Sequence, residues 1–218
     1  GRIGITVPIS PVRRRIPAVT ANSMSVFMGL FYDIIPSVTM TKTDKKNNLR
    51  KSMKSALKSF SENKTEWKKL SFEVCRKFFF IQEFIEADVV FLYIPLSWEL
   101  DCMPLVEQAL KMGKKVAVPR CNAESCSMDF FYLSRAMPVS VQLEEGAFGI
   151  FEPKESLTKI ELEKNCLEGK NIAVIVPGLA FSKDGKRLGK GKGFYDRYIP
   201  RLRRCGGKIF LFGVCFPF

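Results

Sequence analysis

No histidine occurs anywhere in the 218 residues of this chain. Its absence excludes Ser-His and Cys-His nucleophile pairs and any imidazole general base, leaving Lys, Arg, Asp, Glu, Tyr and the backbone for chemistry. The seven cysteines (75, 102, 121, 126, 166, 205 and 215) include no CxxC pair, which argues against structural zinc and for reduced, packed thiols. A membrane-length apolar run is also missing. The stretch "SMSVFMGLFYDIIP" is broken by Asp33 and Pro36, well short of the ~20 residues a span needs. Acidic residues are absent from positions 1–32, where Arg2, Arg13, Arg14 and Arg15 occur with three prolines. Such a leader, taken as residues 1–41, reads as a poorly ordered extension or an organellar transit peptide, the former being the commoner case. Repeats and low-complexity segments are lacking too.

What is present is positive charge, concentrated in two windows. The chain carries a formal +13; residues 42–58 hold seven basic and one acidic side chain, and residues 183–204 hold nine and two. Those windows account for the whole excess, so attraction to a polyanion is local, with nucleotide phosphates and nucleic acid as competing partners. Hydrophobic residues make up 46% of the sequence, enough for a full core.

From residue 42 the pattern is that of one layered α/β domain. Leu49, Met53, Leu57 and Phe60 recur at helical spacing, with Thr43 or Asp44 as the expected cap. Lys46, Arg50, Lys54 and Lys58 follow at i, i+4 on another face. A second helix is predicted over 71–84, a buried strand over 89–96, and a helix over 104–112 that Gly113 ends. Strands follow at "KKVAVPR", "MDFFYL", "NIAVIVPG" and "GGKIFLFGVCF", with a helix at 194–204 before the last. Unbroken apolar strands alternating with helices predict a largely parallel sheet sandwiched between helices. Ligands of such sheets sit beyond the carboxyl ends of the strands. The glycine-rich loop Gly178–Gly193 occupies that position, directly after the most apolar strand.

The loop fits neither standard phosphate pattern. Gly189, Gly191 and Gly193 give GxGxG, not GxGxxG, and no glycine stands five positions ahead for GxxxxGK[ST]. Its physics still suits an anion: glycines allow close backbone approach, amides and a helix start near Phe194 bind oxygens, and Arg187, Lys190 and Lys192 add charge. Asp196 fits equally a Mg²⁺ ligand or a helix-dipole partner.

The stretch "VPGLAFSKDGKRLGKGKGFYDRY" resembles the signature of the 5-formyltetrahydrofolate cyclo-ligase family: a strand ending in PGLAFD, then G-x-RLG-x-G-x-G-Y-Y-D-R. Pro177 to Phe181, Gly185, Arg187 to Gly189, Gly191, Gly193 and Tyr195 to Arg197 match. "KNNLR", "WELD", "GKKVAVPR", "MDF" and "FGIFEP" support it in the family's order. Phe194 stands where the family has its first Tyr, and Ser182 where it has Asp.

The resemblance implies ATP-dependent closure of 5-formyltetrahydrofolate to 5,10-methenyltetrahydrofolate. It implies that Lys46, Arg50 and the run Arg187, Leu188, Gly189, Lys190, Gly191, Lys192, Gly193, Phe194 and Tyr195 bind ATP. It further implies that Glu99 and Lys190 to Phe194 border the folate, that Asp196 holds Mg²⁺, and that Arg187 and Lys192 stabilise the transition state. The expected protein is a cytoplasmic monomer, organellar if the leader is a transit peptide, acting on a folate that can be polyglutamylated. No membrane or nucleic acid is an expected partner. The family pattern continues past "FLFGVCF" with a glutamine and a second metal-binding Asp. The expected catalytic domain, 42–218, therefore lacks the family's C-terminal end. The alternatives are a basic nucleic-acid-binding module and a catalytically impaired relative.

Overall fold

Four apolar stretches carry the architecture, because each buries both faces and so demands cover on both sides. In the computed structural model, which describes residues 41–146, 149–164, 167–182 and 184–216, they form the parallel part of a five-stranded sheet. Strand β1 (Val89–Phe91) pairs in parallel with β2 (Lys115–Asn122) and β6 (Asn171–Pro177), and β6 pairs in parallel with β9 (Lys208–Val214). At one edge β3 (Ser127–Tyr132) runs antiparallel to β2, from Ala117↔Tyr132 to Asn122↔Ser127. The spatial order is β3-β2-β1-β6-β9. The leader through residue 40 lies outside the described residues.

Alternation along each strand divides the core in two. Val90, Leu92, Val116, Ala173, Ile175 and Val214 face a layer built from α1 (Lys42–Glu62), α2 (Lys64–Lys77), α3 (Gln82–Ile85) and α4 (Met103–Lys111). Val89, Phe91, Ala117, Ile172, Val174 and Leu211 face α5 (Phe194–Leu202) through Tyr198 and Leu202. Phe91, Phe130 and Tyr198 stack there with centroids 4.8 Å apart along the chain Phe91–Phe130–Tyr198. Two short hairpins complete the fold: β4 (Leu143–Glu145) with β5 (Phe151–Pro153), and β7 (Ala180–Phe181) with β8 (Arg187–Leu188). Among the described residues no helix is long and apolar enough to cross a membrane.

Several boundaries differ from expectation, each for a local reason. Helix α1 is capped by Thr41, not Thr43 or Asp44. The Thr41 hydroxyl accepts from the Asp44 amide, and the Asp44 carboxylate accepts from the Thr41 amide, a reciprocal capping box. Leu49, counted with the apolar stripe, is exposed, and burial begins lower at Met53 and Leu57. The helix predicted over 71–84 is three pieces. Asn63 starts α2 by accepting from the Glu66 amide, a 3₁₀ turn follows at Phe78–Phe80, and Ile81 is extended before α3. Phe78 is turned there onto Phe84 and Phe212, at 5.4 and 5.5 Å between centroids.

The strand expected over 89–96 ends at Phe91, with one last bond from the Leu92 amide to Ala117 O at 2.9 Å, although Leu92, Tyr93 and Ile94 stay buried. Pro95 brings no amide hydrogen, and the chain turns at once: the Glu99 amide donates to the Leu96 carbonyl at 2.9 Å. That turn brings Glu99 to the carboxyl edge of the sheet.

Candidate active site

Strand β6 delivers the glycine loop to the same edge. Gly178 sits so close to the Phe181 ring that a Cβ would lie 2.6 Å from it, which lets the chain fold straight back into the β7–β8 hairpin. The Leu179 amide then donates to Leu188 O at 2.8 Å and closes it. After β8 the backbone needs left-handed positions: Gly191 has φ +105° and Gly193, the residue capping α5, φ +71°. The Arg197 guanidinium holds this corner, donating to the Lys192 and Cys126 carbonyls and lying 5.8 Å from the Phe194 ring centroid.

Three cations converge on the loop from different elements. Arg50 of α1 reaches across 139 residues of sequence to donate its Nε–H to Gly189 O at 3.0 Å. Arg187, with 11% of its side chain exposed, donates Nη1 to Pro177 O at 3.2 Å and Nη2 to Asp196 Oδ1 at 3.0 Å. Its guanidinium carbon lies 5.6 Å from the Tyr195 ring centroid. Lys190 pairs with Glu99 at 2.6 Å, the carboxylate being 9% exposed and the amine 39%. Glu99 is further fixed by the Leu96 amide, which donates to Oε2 at 3.1 Å, while Trp67 Nε1 donates to the Glu99 carbonyl. The Trp98 face receives Lys190 at 5.4 Å and Lys54 at 5.9 Å.

The structure thus brings together Arg50, Glu99, Arg187, Gly189 to Gly193, Phe194, Tyr195 and Asp196. Leu188 packs into the core beside them. Lys46 stays exposed one turn before Arg50, and Lys192 is exposed with its carbonyl held by Arg197. Asp196, 71% exposed in the first turn of α5, presents its carboxylate outward. Among the described residues no three acidic or cysteine side chains gather as a ready metal cage. A magnesium ion does not require one, because it keeps several waters and is commonly held by one or two carboxylates and substrate phosphates. Asp196 beside Arg187 fits that use.

The Tyr195 hydroxyl is buried, with no hydrogen-bond partner among the described residues. Burial chiefly, then the nearby Cys121, pushes its phenol well above the usual range, so it stays protonated. Trp98 and Arg197 were not legible as site residues from spacing. Trp98 adjoins Glu99 in "WELD", which is a faint signal; Arg197 had none beyond its place in the motif.

The protein is thus a mostly parallel α/β sheet protein that carries a cationic glycine loop after its strand β6, the position where sheets of this kind bind ligands. The profile of the 5-formyltetrahydrofolate cyclo-ligase family matches residues 42–215, and the chain belongs to that family. It is similar to the 5-formyltetrahydrofolate cyclo-ligase of Mus musculus, 26% identical over 162 residues covering 74% of this chain and 77% of that one. A probable 5-formyltetrahydrofolate cyclo-ligase of Schizosaccharomyces pombe is 27% identical, covering 78% and 82%. The 5,10-methenyltetrahydrofolate synthetase of Aquifex aeolicus, solved by NMR, superposes with a TM-score of 0.59 at 31% identity over 78% of this chain and 77% of that one.

Proposed function

We propose that this protein is a 5-formyltetrahydrofolate cyclo-ligase that uses ATP and Mg²⁺. The observation that carries the reading is the convergence of Arg50, Arg187 and the Lys190–Glu99 pair on one glycine loop at the sheet's carboxyl edge. Family membership supplies the reaction class.

The formyl oxygen of the substrate is a poor leaving group. Transfer of the ATP γ-phosphoryl onto it releases ADP and gives an imidate-type phosphate. Nitrogen 10 then attacks the formyl carbon, passes its proton to water or to the departing phosphate, and expels phosphate as the ring closes. This chemistry asks for positioning and charge stabilisation rather than a general base, so a protein without histidine can perform it. The loop amides from Gly189 to Gly193 and the start of α5 would receive phosphate oxygens. Arg187, already oriented by two acceptors, and Lys192 would meet the charge that develops on the transferred group. Lys46 and Arg50, one turn apart, would clamp the remaining phosphates. Mg²⁺, when bound, supplies neutralisation of the phosphate charge, and Asp196 would hold it. Glu99 would accept from the pterin amino and ring N–H groups.

An oligonucleotide-binding reading is weaker, because two of the loop's cations are committed within the fold: Arg187 is largely covered and Lys190 is engaged by Glu99. The direct test is incubation with 5-formyltetrahydrofolate, ATP and Mg²⁺ while following methenyltetrahydrofolate absorbance. Signal that requires all three supports the proposal. No signal, in a protein shown to be folded, ends it.

A further inference from the structure

Lys190 is held at two points by one short segment. Its amine pairs with the Glu99 carboxylate at 2.6 Å and lies 5.4 Å from the centroid of the Trp98 ring. Trp98 and Glu99 are consecutive in the turn that reaches the carboxyl edge of the sheet, so an acid and an aromatic face grip the amine together. Trp98 is packed into the core layer beneath α1 and α4, which makes its ring a fixed surface.

The two partners differ in freedom. Glu99 Oε2 accepts from the Leu96 amide at 3.1 Å, Oε1 faces the amine, and 9% of the side chain is exposed. That leaves no open face for a ligand N–H unless Lys190 moves. Lys190 itself keeps 39% of its side chain exposed. The backbone on either side of it is anchored: Arg50 Nε donates to Gly189 O at 3.0 Å, and Arg197 Nη2 donates to Lys192 O at 2.6 Å. Its neighbours Gly189 and Gly191 put no side chain in its way, so the amine can swing while the loop stays where it is.

We propose that Trp98 is a positioning residue for Lys190, and that Trp98 and Glu99 form a latch on this amine through which folate and nucleotide favour each other's binding. The inference rests on the proposed substrates, with Glu99 serving the pterin and Lys190 the phosphates. A pterin that takes Glu99 frees the amine, and a phosphate that takes the amine frees Glu99. Either ligand alone must open the latch, whereas the second to arrive finds it open. One opening then serves two binding events, which is positive coupling, and linkage makes the factor the same in both directions. Lys54 lies 5.9 Å from the same ring but is not the cation that Glu99 holds, so it stands outside the latch.

Calorimetry tests this without turnover. The ligands are 5-formyltetrahydrofolate and magnesium β,γ-imido-ATP, which cannot transfer its terminal phosphoryl group, each titrated alone and with the other saturating. In the wild-type protein each is expected to tighten the other by the same factor, at least about tenfold. Lys190→Met is expected to abolish the coupling and to bind folate alone more tightly than wild type, whereas loss of a plain folate contact would weaken that binding. Trp98→Leu is expected to lower the coupling factor about two- to fivefold, the scale of one cation–π contact, and Trp98→Phe to restore most of it. Lys54→Met should leave it unchanged. Melting temperatures are compared first; should Trp98→Leu not fold, Trp98→Phe and Lys190→Met still decide. Independent binding in the wild type, coupling that survives Lys190→Met, or weaker folate binding in that variant would overturn the latch. Full coupling in Trp98→Leu would remove Trp98 from it, and loss of coupling in Lys54→Met would assign the effect to charge in general. Coupled binding without cyclisation removes the proposed activity and leaves the latch standing. Cyclisation with independent binding does the reverse, and failure to bind either ligand removes both.

Discussion

Two side chains show how much the site asks of individual residues. Arg187 spans Pro177 O and Asp196 Oδ1 with two guanidinium nitrogens while lying over the Tyr195 ring. A lysine is a point charge and cannot make both bonds and the stacking contact together. Arg187→Lys is therefore expected to lower kcat by about a hundredfold, the scale of losing one preorganised transition-state donor, while circular dichroism remains that of the wild-type protein. Retention of more than half the wild-type kcat would remove Arg187 from transition-state stabilisation. Glu99 poses a different question, because its carboxylate is already partnered by Lys190 and the Leu96 amide. A bound pterin would draw on the charge that Lys190 now neutralises, leaving the amine to turn toward phosphate. Glu99→Gln keeps an acceptor for Leu96 but loses that charge. Hydrogen bonds to a charged group contribute about 1.5–3 kcal/mol, so KM for the folate should rise by roughly ten- to a hundredfold while KM for ATP shifts little. An equal rise in both would instead mark Glu99 as a brace for the loop.

At the level of elements, the glycine loop is held by backbone conformation and by Arg197. Gly193 combines a left-handed φ of +71° with a site where a Cβ would fall 2.8 Å from Arg197 Nη1. Gly169 has nearly the same φ, +67°, but open space around it and no part in the site. Forcing an L-residue into that region costs about 1–2 kcal/mol, so alanine at either position should lower the melting temperature by a similar few degrees. Gly193→Ala alone should also raise KM for ATP several-fold, because it displaces the guanidinium that holds the Lys192 and Cys126 carbonyls. Matching kinetics for the two variants would mean that the loop's shape is not what binds nucleotide. The elements themselves were unequally legible in the sequence. The parallel strands were plain because Val116–Val118 and Ile172–Val176 are unbroken apolar runs buried on both faces. The apolar run after Phe91 reads as more strand, yet it is a buried loop, since only pairing partners distinguish the two. The break at Phe78–Ile81 was hidden because it follows from packing on Phe84 and Phe212, far away in the chain. In the site, the glycines, Arg187 and Asp196 were marked by the motif. The Arg50 bond to Gly189 and the Lys190–Glu99 pair join segments whose proximity no spacing encodes.

The whole molecule shares a property that its scattered cysteines only hint at. Cys75 and Cys102 are buried, one donating to Asp101 O and the other to Tyr93 O. Burial chiefly, then the nearby Asp101, pushes the Cys75 thiol up to about 12; burial and then Cys75 hold the Cys102 thiol well above its usual range. Burial likewise raises Cys215 to about 11, and lifts the phenol of Tyr93 at the base of the same cluster. A group whose folded value is raised contributes stability fully below its unfolded value and loses it as pH climbs toward the folded one. For the thiols that window opens at the unfolded value near 9 and, for Cys75, runs to about 12. Within it the unfolded chain releases protons that the folded chain retains, and each such group removes at most about 1.4 kcal/mol per pH unit. The melting temperature should therefore be flat from pH 7 to 8.5 and fall steeply above pH 9, with no histidine titration near neutrality to blur the onset. Cys75→Ala tests the cause: it costs packing at every pH but should make the alkaline decline shallower. A slope identical to wild type between pH 9 and 10.5 would assign the decline to repulsion or to the tyrosines rather than to the buried thiols.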